Sequence, residues 1–308
     1  MPSTRRLGGL CVAALLAVAV AGCGTSARFA QFQKFSQAGV TYADTVPAIL
    51  DEAFELALAV DSLVLTRTRN HLTRPQRIRA LSESTKALQE RQQVFGEIRR
   101  HAVLLRTYFV ALGQLAASDA DSGIPQATEG LVQSMQGLSG KLKDQTINFG
   151  NNIKIPIDKF VGAIATIAVR SYRSAVLTRE LRRNAQVIER ELAIQEAAIQ
   201  AVAEGMRDQV QLQINDEMLR QVARPYVNDG SLPSDWNARR LAIFKRNTTI
   251  AAADAAAKAA KNLRLSFIAL VENRFDLASL NLLISDLNAV VSFVEKYRKP
   301  DDKKDKKP

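Results

Sequence analysis

The chain has 308 residues and a mass of 33.8 kDa, and its 47% hydrophobic and 24% charged residues exclude wholesale disorder. Its 15 glycines and 9 prolines are too few for a turn-rich all-β sandwich, and its two cysteines and two histidines are too few for a zinc cluster or a disulfide framework. The net charge is +11, but the basic residues do not form a concentrated patch interleaved with aromatic residues along the sequence. We therefore expect no nucleic-acid partner.

The N-terminus has the three parts of a secretory signal peptide. Arg5 and Arg6 supply positive charge, residues 10–21 form an apolar run, and small residues precede Cys23. The apolar run is shorter than the roughly 20 residues that a spanning helix needs. We therefore predict no permanent transmembrane anchor in this segment.

The sequence Val20-Ala21-Gly22-Cys23 resembles the lipobox of bacterial lipoprotein signal peptides. The resemblance covers about the first 24 residues, and it implies cleavage after Gly22, a thioether-linked diacylglycerol on Cys23 and an acyl chain such as palmitate on the new amino group. Two or more chains hold a protein stably in a bilayer. In Gram-negative members of this family, an aspartate after the cysteine favours retention at the inner membrane. Gly24 stands at that position here, so the resemblance implies sorting to the outer membrane. The alternative is an ordinary signal peptide with a chance cysteine.

With processing at this site, the full chain has four parts, of which the last three form the mature protein. Residues 1–22 would be the signal peptide, 23–27 a lipidated linker, and 28–298 the folded body. Residues 299–308 are predicted to be a basic disordered tail. The mature chain would carry a net charge of +9, and it would have neither a free thiol nor a disulfide, so packing alone would stabilise it.

Helical periodicity dominates the first third of the folded body. Apolar or small residues alternate three and four positions apart from Phe32 to Leu63, which is a heptad seam, and Pro47 predicts a kink or a local break. A polar connection at 66–75 separates this helix from a second one at about 77–117, whose predicted apolar stripe consists of Leu81, Leu88, Phe95, Ile98, Ala102, Leu105, Phe109 and Leu112. The short connection predicts an antiparallel helical hairpin.

The middle of the chain is richer in turn residues. A shorter helix is predicted at about 125–143, and alternating isoleucines around Gly150-Asn151-Asn152 predict a small β-hairpin near 146–157. Two further helices are predicted at 157–224 and 234–299, each on the order of 90–100 Å long if uninterrupted. The fold class is therefore all-α, an elongated antiparallel bundle of about five helices, several of them long and coiled-coil-like.

Two surface features suggest contact with anionic or apolar surfaces. The first is the hairpin tip, where no acidic residue lies between Asp61 and Glu83. Its arginines could contact anionic headgroups or an acidic partner, although a solvated loop would have the same composition. The second is an uncharged stretch at 160–169, which with the candidate β-hairpin gives residues 145–170 an architecture similar to the membrane-inserting segment of helical pore-forming toxins. The arginines of the hairpin tip, which is the first of these two features, are Arg67, Arg69, Arg74, Arg77 and Arg79.

Recognisable catalytic motifs do not occur in the sequence. His71 and His101 are too far apart for an HExxH motif, and there is no P-loop, GxSxG or GxGxxG pattern. The acidic group that begins at Asp119 has Gly130 where an EF-hand loop needs its closing glutamate. We predict no enzyme, no metal and no cofactor, with carboxylate-only catalysis as an alternative. His101, which follows two arginines on a helix, is expected to be a partly exposed residue at the surface or at its boundary with the core.

The sequence thus predicts a lipid-anchored protein of the cell envelope, on the periplasmic side of the outer membrane if the host is Gram-negative. Its expected role is that of a helical scaffold or adaptor that binds the bilayer through acylated Cys23 and presents helix faces to a protein partner. Heptad seams also allow a homo-oligomer. The alternative function is membrane insertion through residues 145–170.

Overall fold

The computed structural model describes residues 7–118, 129–130, 133, 147–148, 154–155, 176–228, 230–272, 274–275 and 277–298. Five long helices in these ranges share one hydrophobic core, which confirms the all-α bundle. They are α1 (Leu7–Thr68), α2 (Arg74–Ser118), α3 (Val176–Glu217), α6 (Asn247–Val271) and α7 (Leu277–Arg298). Two shorter helices lie between α3 and α6. These are α4 (Arg224–Val227) and α5 (Trp236–Lys245).

Short elements connect or interrupt these helices. A 3₁₀ turn at Arg69–His71 joins α1 to α2, and a π-helical segment at Met218–Ala223 joins α3 to α4. Strands β1 (Ile147–Asn148) and β2 (Lys154–Ile155) pair antiparallel, with Ile147 opposite Ile155. The described strands therefore lie where the sequence predicted a small hairpin. The predicted helix at 125–143 falls almost wholly outside the described residues.

The connection between α1 and α2 lies where it was predicted, and the side chain of Gln76 caps the start of the second helix. The backbone N–H and the hydroxyl of Thr73 both donate to Oε1 of Gln76, at 2.8 and 2.9 Å. This arrangement satisfies a backbone donor at the helix start. The chain therefore reverses direction within five residues, and the two helices pack as a hairpin.

Polar contacts between helices fix their relative directions. In the hairpin, Arg106 donates to Asp44 at 2.8 Å and Ser84 donates to Asp61 at 2.5 Å, so residue numbers rise along α1 as they fall along α2. The same antiparallel relation holds for α2 with α3 and for α3 with α6. The pairs that show it are His101–Glu191 with Ile98–Gln195, and Arg246–Glu217 with Arg264–Glu196.

The predicted heptad seam of α1 is the centre of the core. Phe32, Phe35, Tyr42 and Ile49 are all buried, and α1 packs against α2, α3, α6 and α7. Phe35 lies within 6.4 Å, between ring centroids, of Phe109, Phe267 and Phe275. One amphipathic helix therefore gathers aromatic side chains from α2, α6 and the turn that follows α6, which is how distant segments join one core.

Two predicted features of the helices differ from the structure. The break at Pro47 is wrong, because α1 stays helical through this residue, held by buried neighbours such as Val46 and Ile49. The single helix at 234–299 is also wrong. It is divided at Arg246 and again at 272–276, and the second division lets α7 fold back so that Leu280 and Leu287 enter the core.

Glycine at position 39 allows α1 and α2 to approach closely. A β-carbon at Gly39 would overlap the ring of Phe109, whereas a β-carbon at Gly96, in α2, would meet nothing within 4 Å. We expect Gly39→Ala to lower the free energy of unfolding by about 1–3 kcal/mol through overpacking. Gly96→Ala should raise it by roughly 0.5–1 kcal/mol, because alanine loses less backbone entropy in a helix.

Denaturant titration of the two variants beside the parent chain measures both effects. The two variants are matched, since each adds one methyl group at one helical glycine. Equal stability of the two variants would contradict the close packing assigned to residue 39.

Candidate functional site at the distal end of the bundle

The predicted lipid-attachment residue lies within the first third of α1, and it would be the first residue of this helix after cleavage at Gly22. The backbone is helical from Leu7 through Cys23 to Thr68, so about 68 Å of helix separates Cys23 from the end of α1 at 1.5 Å per residue. We define the distal end as residues 66–83 and 212–250. These two stretches meet there, because Arg67 of α1 forms an ion pair with buried Asp216 of α3.

The five predicted surface arginines are all exposed, and three of them have partners within the chain. Arg67 pairs with Asp216, Arg77 donates from Nε to the carbonyl of Leu72 at 2.9 Å, and Arg79 pairs with Glu83 at 2.8 Å. Arg69 is the first residue of the 3₁₀ turn, and Arg74 is the first residue of α2. The structure therefore places all five at the distal end, where some of them also brace the tip.

Folding adds an aromatic cluster that the sequence did not predict. The rings of Tyr226 and Trp236 stack with centroids 6.0 Å apart, and the guanidinium of Arg240 lies over Trp236 at 5.5 Å. The indole N–H of Trp236 donates to the carbonyl of Val222 in the π-helical segment at 3.1 Å. These contacts fix α4 and α5 against the end of α3, so the cluster has a defined shape.

A bidentate ion pair holds α5 and α6 at this end of the bundle. Arg246, between the two helices, donates to both carboxylate oxygens of Glu217 at 2.6 and 2.7 Å, and to Gln213 at 3.1 Å. Bidentate arginine–carboxylate pairs are among the stronger and more directional polar contacts. The site of the helix division at residue 246 is therefore set by a tertiary contact, and no glycine or proline lies there to signal it.

Below the tip, α1 and α2 enclose a groove of about 420 Å³ that Gln209 of α3 also lines. Its polar lining includes Asp61, bound by Ser84, the Glu83 side chain, and Arg91, which is only 4% exposed. Burial lowers the pKa of Arg91 to about 10, against the opposing effect of the Asp61 carboxylate. The groove therefore combines apolar walls with one buried guanidinium and two acidic side chains, so its charge does not favour an anionic ligand.

The most deeply buried polar contact lies in the middle of the bundle. Nδ1 of His101 is 2.7 Å from a carboxylate oxygen of Glu191, and both side chains are fully buried. Gln195 donates to Glu191 at 3.3 Å and to the carbonyl of Ile98 at 3.4 Å. The expectation of a partly exposed His101 is therefore wrong, because α3 covers it with a polar partner.

Tyr42 lies close to this cluster and has a buried hydroxyl with no hydrogen-bond partner in the part of the chain that the structure describes. Burial first, and then the Glu191 and Glu196 carboxylates, raise the pKa of Tyr42 above its ordinary value. We expect Tyr42→Phe to raise the free energy of unfolding by about 1 kcal/mol, because it removes an unsatisfied buried polar group.

The same variant tests the pKa of Tyr42. The hydroxyl stays protonated in the folded chain but ionises near pH 10 in the unfolded chain. Ionisation above that pH therefore favours unfolding of the parent chain and not of Tyr42→Phe. The stability difference between the two, measured by denaturation from pH 7 to 11, should be constant below about pH 10 and widen above it. A constant difference throughout would contradict the raised pKa.

Other predicted features stand as follows. Among the described residues, no group of three or more His, Cys, Asp or Glu is placed to hold a metal ion. By length and composition alone, one described helix could cross a membrane, Leu277–Lys296 of α7, with a mean hydropathy of 1.6. The side chain of Cys23 and the tail at 299–308 lie outside the described residues, as does the segment at 145–170 apart from its two short strands.

Comparison with family models, with curated proteins and with solved structures gives no significant match for this chain. The functional argument therefore rests on the sequence and on the geometry of the bundle.

Proposed function

We propose that the protein is a lipid-anchored scaffold or adaptor of the cell envelope, tethered through acylated Cys23 and working through binding rather than catalysis. The observation that supports it most is the continuity of α1, which joins the predicted anchor to the distal end as one helix. A stiff helix packed in a bundle holds a binding surface at a fixed height above a membrane.

The arrangement of polar groups also favours a binding role. Polar side chains are used between helices, as in the buried His101–Glu191 contact and the half-buried Asp61–Ser84 contact. Each contact joins two different helices, so both help to define how the helices pack. Long bundles offer extended surfaces to partners. Each of the five long helices exposes at least one large apolar residue, and one from each, in chain order, is Leu58, Val103, Leu212, Leu265 and Leu282.

Those five positions define the experiment that tests an adaptor role. A photocrosslinking amino acid is placed at each of them in turn, in cells, and the adducts are compared. An adaptor should give one recurrent envelope-protein adduct from one or two adjacent helices, whereas a homo-oligomer should give an adduct of twice the chain's mass. The same positions in a Cys23→Ser chain are the control, because loss of the anchor should remove the envelope-protein adduct. No specific adduct from any of the five positions would contradict the adaptor role.

A further inference from the structure

Charge is concentrated at the distal end. Its two stretches contain eleven Lys and Arg against five Asp and Glu, a net charge of +6. The mature chain as proposed carries +9, and residues 296–308 carry +4 of this, so the remainder of the chain has a net charge of −1. The basic character of the folded body is therefore a property of one end of the bundle.

Exposed apolar side chains are concentrated at the same end. Nine of the fourteen exposed large hydrophobic residues in the described chain belong to the distal end. Leu241 and Phe244 of α5 are 55% and 54% exposed, and Tyr226 and Val227 of α4 are 69% and 75% exposed. The other five are Ile78, Leu81, Leu212, Leu219 and Leu232. Four of the nine, Ile78, Leu219, Leu241 and Phe244, are next to an arginine or a lysine in the sequence.

We propose that the distal end binds the surface of an anionic lipid bilayer. Aromatic, aliphatic and basic side chains together are typical of the membrane–water interface, where rings and methyl groups enter the acyl boundary and cations meet the headgroups. The apolar residues belong to several elements, namely the ends of α2 and α3, the π-helical segment, α4 and α5, and the turn before α5, instead of one helix face. A fluid interface accepts side chains at uneven heights, whereas a protein partner would need a matching rigid shape. An acidic protein partner is the competing outcome of the test.

The consequence is a chain that contacts bilayers at both ends. This bridging rests on the proposed lipid anchor at Cys23, whereas binding by the distal end does not. With about 68 Å of helix between Cys23 and Thr68, the distal end is far from the membrane that would hold the anchor. It can therefore meet a second bilayer while the first end stays inserted.

Vesicle tethering tests both contacts separately. The processed full-length protein is reconstituted into neutral phosphatidylcholine vesicles, and labelled vesicles containing phosphatidylglycerol are then added. Flotation of the protein with the neutral vesicles reports the anchor, and capture of the labelled anionic vesicles reports the distal end. We expect both, with capture reduced by high salt because the headgroup attraction is screened. Anchored protein that captures no anionic vesicles would overturn this proposal and leave the anchor intact.

A second readout comes from the protein's single tryptophan, Trp236, which lies within the distal cluster. On addition of anionic vesicles its fluorescence should shift to shorter wavelength and be quenched by brominated lipids. When neutral vesicles are added instead to the same anchored protein, the emission wavelength of Trp236 should not change. If Trp236 does not respond to anionic vesicles while a crosslinker at position 244 gives a specific protein adduct, the partner is a protein and the proposal is wrong.

Matched variants separate surface chemistry from loss of folding. Arg240→Gln with Lys245→Gln should weaken anionic-vesicle binding about 30-fold, at about fivefold for each charge removed. Leu241→Ser with Phe244→Ser should weaken it at least about tenfold. The controls are Lys258→Gln with Lys261→Gln and Leu265→Ser with Leu282→Ser, all exposed outside the distal end. Equal binding by distal and control variants, with unchanged helical content, would overturn the proposal.

Discussion

Replacing His101 with leucine is expected to lower the free energy of unfolding by about 3–5 kcal/mol. The change removes the partner of Glu191, a carboxylate with no solvent exposure, and leaves it with Gln195 as its remaining side-chain contact. Removing one member of a buried polar or ionic pair costs this much because the other member stays desolvated without compensation. The measurement is equilibrium denaturation by urea, followed through helical circular dichroism.

The double variant His101→Leu with Glu191→Leu is the control for this effect. It removes both polar groups and keeps similar volumes, so it should recover most of the lost stability. If the double variant is no more stable than His101→Leu, the loss comes from packing volume and not from the buried contact. A single variant within about 0.5 kcal/mol of the parent chain would contradict the burial of the pair.

Replacing Cys23 with serine is expected to abolish acylation and move the protein from the membrane fraction to the soluble fraction. Serine cannot form the thioether to diacylglycerol, and two or more acyl chains are what make such a tether stable. The effect should be nearly complete, and it is read by fractionation with a washed membrane pellet. A useful control is Cys11→Ser, which lies within the predicted leader and should leave the localisation unchanged.

Retention of Cys23→Ser on membranes would have two meanings that the distal end distinguishes. If high salt or the Arg240→Gln and Lys245→Gln changes release the protein, the distal end holds it there. If neither releases it, the lipid-anchor interpretation is wrong and another part of the chain is inserted.

The core of the bundle could be predicted from the sequence because its signal is local. The seam of α1 repeats every three or four residues, and Phe32, Tyr42 and Ile49 are buried as that pattern requires. The predicted stripe of α2 holds from Phe95 onwards, but Leu81 is 57% exposed. No residue from 61 to 90 is buried, so the end of the hairpin extends past the shared core and no described part of the chain buries its apolar positions.

Burial of His101 and the divisions of the last predicted helix could not be predicted in the same way. His101 lies between Ile98 and Leu105, both in the predicted stripe, which was the available signal for burial. Its partner Glu191 is 90 positions away, however, and pairing across that separation is set by how helices pack. The same reasoning applies to Arg246, whose partners are on α3.

The distal end was only half predicted for a related physical reason. The tip arginines are close together in sequence, so their clustering could be seen directly. The aromatic half comes from residues 226–244, more than 140 positions later. It lies near the tip only because α1 and α3 both run antiparallel to α2, so that their ends meet at the Arg67–Asp216 pair. A patch of this kind is a product of topology and has no contiguous sequence pattern.

The most direct test of the account is the intact mass of the protein purified from its native envelope. The account predicts a chain that begins at residue 23 and carries the added mass of a diacylglycerol and an acyl chain on Cys23. A chain that keeps residues 1–22, or one that begins at residue 23 with an unmodified thiol, would contradict the lipid anchor and the function built on it.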